Sequence, residues 1–132
     1  MPSSRQLPGR GVTAAGFRRI ALGINGAVEG AHMGHPDFRA GAGGRIFATL
    51  HTDMKHGMVK VTPEQQRELI RRIPDAFSPE AGAWGRSGCT KVALTAVDQE
   101  TLGEAMTLAW TQAARPPKAG RTRGLQAARK RR

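Results

Sequence analysis

Residues 45–65 read RIFATLHTDMKHGMVKVTPEQ, and this stretch decides the fold. Ile46, Ala48 and Leu50 alternate with Arg45, Phe47, Thr49 and His51, which is the period of a strand with one buried face. Thr52–His56 reads as a turn, and Gly57–Val61 as a second strand. The connection is short enough for an antiparallel hairpin. Thr62-Pro63-Glu64-Gln65 then opens a helix: a threonine N-cap, proline at the first helical position, and a glutamine three residues on to close a capping box. A hairpin therefore runs directly into a helix.

Working outward, Leu69, Ile70 and Ile73 form the apolar side of that helix, and Pro74 stops it. Residues 74–88 read as a loop holding Phe77 and Trp84 and closing on Gly85 and Gly88. Cys89–Val97 reads as a strand with Val92, Leu94 and Ala96 on one face. Asp98 caps a last helix, with Leu102, Met106, Ala109, Trp110 and Ala113 on one side, and Pro116-Pro117 ends the domain. Toward the N-terminus, His35–Arg39 reads as a short strand, with Pro36 tolerable only near an edge or strand start. Ala40–Gly44 is a turn. Thr13 caps a first helix whose Phe17, Ile20, Ala21 and Ile24 recur at helical spacing, with Val12 and Phe17 placed as a hydrophobic staple. The order is α-β-β-β-α-β-α. It predicts an α+β domain with a mostly antiparallel sheet and helices on one face. No βαβ unit carries a glycine fingerprint, so a dinucleotide-binding doubly wound fold fails on pattern.

Particular segments carry a family resemblance: Gly34-His35-Pro36-Asp37-Phe38-Arg39, Gly44-Arg45-Ile46-Phe47-Ala48-Thr49-Leu50, Met58-Val59-Lys60-Val61-Thr62-Pro63-Glu64-Gln65, and the Ala83-Trp84-Gly85 loop. In order and spacing they resemble the MmcQ/YjbR-like family of small bacterial proteins, over roughly residues 13–112. The resemblance implies a fold similar to CyaY/frataxin, with helices packed on an antiparallel sheet whose hairpins form a double wing. It also implies DNA binding, by the family's name, and brings no catalytic residues. The Ala40–Gly44 turn is longer than usual for the family. The first helix offers Arg18-Arg19 and no acid before Glu29, so it lacks the acidic ridge by which frataxin-like proteins hold iron.

Charge is segregated along the 132 residues. The formal net charge is +11, yet residues 11–114 hold eleven basic and ten acidic side chains. Residues 115–132 hold eight Lys/Arg and no acid, and Arg5 and Arg10 supply the rest. The chain thus reads as a leader over 1–11, a domain over 12–114 and a disordered basic tail over 115–132. Such a tail neutralises phosphates and releases counterions, giving affinity with little sequence choice. The nucleic-acid candidates are Arg121, Arg123, Arg129, Lys130, Arg131 and Arg132 in the tail, with Arg39, Arg45, Lys55, Lys60, Arg86 and Lys91 on or near the hairpins and the fourth strand. Asp37 and Asp53 interleave with these bases, so a plain solvated face is the competing reading. Aromatic residues make up 5% of the chain with no tyrosine, which argues against a broad base-stacking platform. Phe47 reads either as an exposed ring or as one covered near the first helix.

Four histidines fall in two clusters, His32-x-x-His35-x-Asp37 and His51-x-Asp53-x-x-His56, which hairpin pairing would join. Neither spacing is specific for a metal, and polar loop histidines are the favoured reading. Cys89 stands alone, so no intrachain disulfide forms. Lys91 and Arg86 nearby would activate its thiol, and burial in a strand would silence it; the inert reading is favoured. Trp84 is expected to anchor the loop against the sheet. The leading expectation is a small, non-enzymatic, cytoplasmic monomer that contacts DNA mainly through phosphates, with no cofactor and no membrane role. The alternative is a small-molecule or protein-binding module using the sheet face near His35, His51 and Trp84.

Overall fold

The computed structural model describes residues 11–115. Chain order is α1 (Ala14–Leu22), β1 (Val28–His32), β2 (His35–Arg39), β3 (Ile46–Leu50), β4 (His56–Lys60), α2 (Pro63–Arg72), β5 (Phe77–Pro79), α3 (Gly82–Arg86), β6 (Cys89–Ala93) and α4 (Gln99–Ala114). The strands form one antiparallel sheet in the order β1-β2-β3-β4-β6-β5. The α+β architecture is that expected from the sequence, with two strands and a short helix added.

The helix signals act as written. The Thr13 hydroxyl accepts from the Gly16 N–H at 3.0 Å, and the Asp98 carboxylate from the Thr101 N–H at 2.7 Å. Thr62 and Gln65 exchange both bonds of a capping box. Helices α1 and α4 pack on the same sheet face, burying Phe17, Ala21, Leu102, Ala105, Met106 and Ala109 against Phe38, Ala48, Leu50, Val59 and Val92. Gly57 lies directly beneath α1: a Cβ there would stand 2.4 Å from the Phe17 ring. The glycine lets helix and sheet close to contact.

Three local readings are corrected, and Phe47, read as either exposed or covered, is covered. Residues 28–32 form an edge strand, β1, whose Gly30 and Ala31 give little strand signal; the register Val28↔Arg39 to His32↔His35 holds it. Residues 74–88 contain β5 and α3 as well as loop. β6 ends at Ala93: Leu94 adds one more bond in register, its N–H donating to Lys55 O, and the chain then turns, with the Ala96 N–H donating back to Ala93 O at 3.0 Å. Phe47 is fully buried. The register slips between Phe38 and Arg39, so Phe38 pairs with Ala48 and Arg39 with Ile46, leaving Phe47 as the extra residue of a bulge. Strict alternation, which would place that ring outside, fails there. Residues 1–10 and 116–132, and with them most of the leader and the basic tail, lie outside the described residues.

Candidate functional site

The sheet face away from α1 and α4 carries the chemistry. On it stand His35, Asp37, Thr49, His51, His56, Met58, Lys60, Cys89 and Lys91, by strand alternation from the buried positions. A two-residue turn, Met33 (φ 50°) and Gly34 (φ 85°), sets His32 directly opposite His35, with ring centroids 5.1 Å apart. The β2–β3 register, extended by two residues from Asp37↔Thr49, brings His35 alongside His51. The His51 N–H donates to His56 O at 2.9 Å, and those rings lie 6.2 Å apart. All four histidines therefore form a row across β1, β2, β3 and β4 at one end of the sheet. They occupy strand ends rather than loose loops.

Three of the four are held by carboxylates. His32 Nδ1 meets Asp37 Oδ2 at 2.7 Å, His51 Nε2 meets Glu80 Oε2 at 2.8 Å, and His56 Nδ1 meets Asp53 Oδ2 at 2.7 Å. The Asp37 side chain is wholly covered, and Arg39 grips its far edge, Nε to Oδ1 at 2.9 Å and a terminal nitrogen to Oδ2 at 3.1 Å. Gly30, opposite Asp37, leaves room for this arrangement; a Cβ would fall 3.0 Å from Oδ1. The Arg39 hydrogen bonds hold the Asp37 carboxyl below the usual range against the opposing effect of burial, and His32 adds to the lowering. Asp53, held first by the Lys55 N–H and then by His56, is lowered to about 2. His35 has no such partner, and its Nδ1 is buried without a hydrogen bond.

Between the histidine row and α3 lies a cavity of about 360 Å³, lined by His32, Met33, His35, Thr49, His51, Met58, Glu80, Ala81, Trp84 and Cys89. The size sits at the lower end of the range for small-molecule sites, and the lining is largely apolar with a few polar groups. Trp84 is 70% exposed, and Met33, on the opposite lip, 89%. Trp84 is thus not packed on the sheet as expected but stands as an open aromatic wall. Its position is set from below. A Cβ on Gly85 would fall 1.9 Å from Glu80 O, so only glycine lets α3 fold back onto the strand before it. Gln66, buried on α2, points its side-chain amide nitrogen at Gly85 O, Cys89 O and Thr90 Oγ1 at 3.0–3.1 Å, tying α3 and β6 to α2. Gln66 was invisible to sequence reasoning; a polar side chain facing the apolar side of α2 was its one signal.

Cys89 is nearly covered at the cavity floor, and burial pushes its thiol up in spite of Lys60 and Ser87. Among the described residues, no group of three or more His, Cys, Asp and Glu stands in position to hold a metal ion.

The structure distributes the cationic candidates. Arg39, Arg45 and Lys60 lie at the sheet end opposite the histidine row, as the registers Arg39↔Ile46 and Lys60↔Cys89 require. There the Arg45 guanidinium contacts the Arg115 carbonyl, where α4 ends. Lys91 is mid-face beside Met58, Lys55 is in the β3–β4 turn, and Arg86 is in the last turn of α3. Arg39 is engaged by Asp37. Arg121, Arg123, Arg129, Lys130, Arg131 and Arg132 lie outside the described residues. No described helix is long and apolar enough to cross a membrane.

Comparison with known proteins gives two matches. Residues 22–112 match the YjbR family model. A crystal structure of Deinococcus radiodurans protein DR2400, with a DUF419 domain, is similar at a TM-score of 0.69 and 22% identity, covering 87% of this chain and 89% of that one. At that identity the likeness concerns the fold. No curated protein matches.

Proposed function

We propose that this chain, which belongs to the YjbR family, is a non-enzymatic binding module for a small organic molecule, seated between the histidine row and Trp84. One observation carries the reading: His35, His51 and Trp84, drawn from three separate segments, surround a single apolar-lined cavity with convergent polar groups. An exposed tryptophan beside such a cavity is a large apolar surface left in water, which a ligand would cover. The thiol and the carboxylates around it are spoken for: Cys89 is covered, while Asp37 and Glu80 hold histidines. This favours binding over covalent chemistry. The test is a ligand-observed NMR screen of aromatic fragments against the full chain and its Trp84→Ala variant. Hits that lose binding in the variant support the site. An absence of hits, or hits indifferent to Trp84, refutes it.

A second reading rests on charge: the chain is also a sequence-tolerant DNA binder. The basic segment starts at Arg115, beside Arg45 and at the sheet end that carries Lys60. Cations of fold and segment would then act on the same phosphates. The cavity reaches Cys89, the register partner of Lys60, so the two readings meet at Lys60, while Arg45 and Arg115 lie at the far end of the sheet. DNA binding by full-length chain and by a truncation after Ala114, across a salt series, tests it. Equal affinity would remove the role of the segment.

A further inference from the structure

We infer that Met33 is a modification site: a peroxide oxidises its thioether to the sulfoxide, and the polar group so formed at the lip of the cavity weakens the hold on an apolar ligand. The effect on binding rests on the small-molecule reading of the cavity; the site of oxidation does not. The starting point is a residue that the fold does not account for. Met33 and Gly34 are the two central residues of the β1–β2 turn, both with positive φ, at 50° and 85°. Such turns favour Asn, Asp and Gly, whose backbones reach that region readily. Met33 has no such preference, and at 89% exposed its side chain adds nothing to the core. What it does line is the cavity.

The other sulfur atoms among the described residues are less open. Met54, in the β3–β4 turn, is 48% exposed and does not line the cavity. Met58 lines the cavity but is partly covered on β4, and Met106 is wholly buried in the core. Peroxide reacts with a cysteine as its thiolate, and Cys89 is nearly covered, with its thiol pushed up by burial. Reaction at Met33 is a two-electron oxygen transfer. A sulfur lone pair attacks one oxygen of hydrogen peroxide, the O–O bond breaks and the S=O bond forms. The other oxygen takes both protons and leaves as water. The thioether is apolar and packs well against aromatic rings, whereas the sulfoxide is polar. Because the Met33 side chain supports no packing, the change leaves the fold intact, and the exposed turn stays open to a methionine sulfoxide reductase.

Graded hydrogen peroxide on the full chain, read by peptide mass spectrometry, gives the order of oxidation. Met33 should gain oxygen before Met54 and Met58, with Met106 untouched while circular dichroism shows the native fold. In parallel, the tightest Trp84-dependent fragment of the aromatic screen is titrated against each sample. Its affinity should fall roughly twofold to tenfold as Met33 oxidises, the loss of a thioether–aromatic contact. It should return after treatment with a sulfoxide reductase and dithiothreitol, an arm that needs no variant. Met33→Leu keeps an apolar lip without the reactive sulfur and should bind the fragment with no response to peroxide. Met33→Gln, polar and of similar length, should bind weakly without peroxide. Oxidation of Met54 or Met58 ahead of Met33, an affinity unchanged with Met33 oxidised, or an equal loss in Met33→Leu overturns the inference. Fragments indifferent to Trp84 remove the cavity reading and the effect on binding with it, while the order of oxidation still decides the site.

Discussion

Replacing Asp37 by Asn tests the hydrogen-bond set that orders the β1–β2 hairpin. Asp37 has no exposed side-chain surface, whereas the side chains of Arg39 and His32 are 34% and 38% exposed. The wild-type carboxylate accepts two bonds from Arg39 and one from His32. Each hydrogen bond to a charged group is worth about 1.5–3 kcal/mol. Arg39 and His32 both reach water, and the amide keeps one acceptor, so most of that sum is recovered on substitution. The net loss should be about 2 kcal/mol, discounted for screening. In a domain of this size that lowers Tm by roughly 8–16 °C. The dependence on pH follows from the Asp37 carboxyl being lowered in the folded state. A lowered carboxyl contributes stability that is present above its unfolded value, roughly pH 4, and is lost as pH falls through the folded value. The gap between wild type and Asp37→Asn should therefore be full at pH 7 and close progressively below about pH 4. Other carboxylates with lowered values, such as Asp98, are common to both proteins and cancel in the difference. Urea denaturation across this range supplies the measurement. A gap below about 0.5 kcal/mol at pH 7, or one that does not close in acid, would refute the reasoning.

Gly57→Ala places a methyl 2.4 Å from the Phe17 ring, and should cost about 1–3 kcal/mol by overpacking, read as a lower urea midpoint with unchanged slope. Gln66→Ala strips the tie between α2 and the Gly85–Cys89 backbone. A loss of about 1–3 kcal/mol is expected, with weaker binding of any Trp84-dependent fragment as α3 loosens. Thr62→Ala removes half of a capping box and should cost about 1 kcal/mol in thermal unfolding. Duplex DNA binding by the full chain should fall steeply with salt and nearly vanish on truncation after Ala114, measured by fluorescence anisotropy.

How much of this was legible in the sequence depends on whether the signal was local. Thr13, Thr62 with Gln65, and Asp98 each cap a helix through atoms three residues away, so the pattern and the structure coincide. The Arg45–Val61 hairpin announced itself by alternation. Phe47 broke that rule because the bulge is a property of two strands, and its partner residues Phe38 and Arg39 lie across the pair. β1 was missed because Val28-Glu29-Gly30-Ala31-His32 has little strand propensity; pairing with β2 makes it a strand. The site was half visible. His35, His51 and Trp84 were grouped from the sequence, but the row of four histidines depends on two hairpins and the β2–β3 register together. The partners Glu80, for His51, and Gln66, for α3, are 29 and 19 residues away from what they hold. No spacing rule reaches that far.

Backbone amide NMR of the uniformly ¹⁵N-labelled full chain, titrated with the strongest aromatic fragment, tests the ligand site most directly. Expected shifts concentrate on Met33, His35, Thr49, His51 and Trp84, with the Arg45–Arg115 end unmoved. Shifts gathered at that cationic end, or between α2 and α4, with the histidine row silent, would contradict a site on the open face of the sheet.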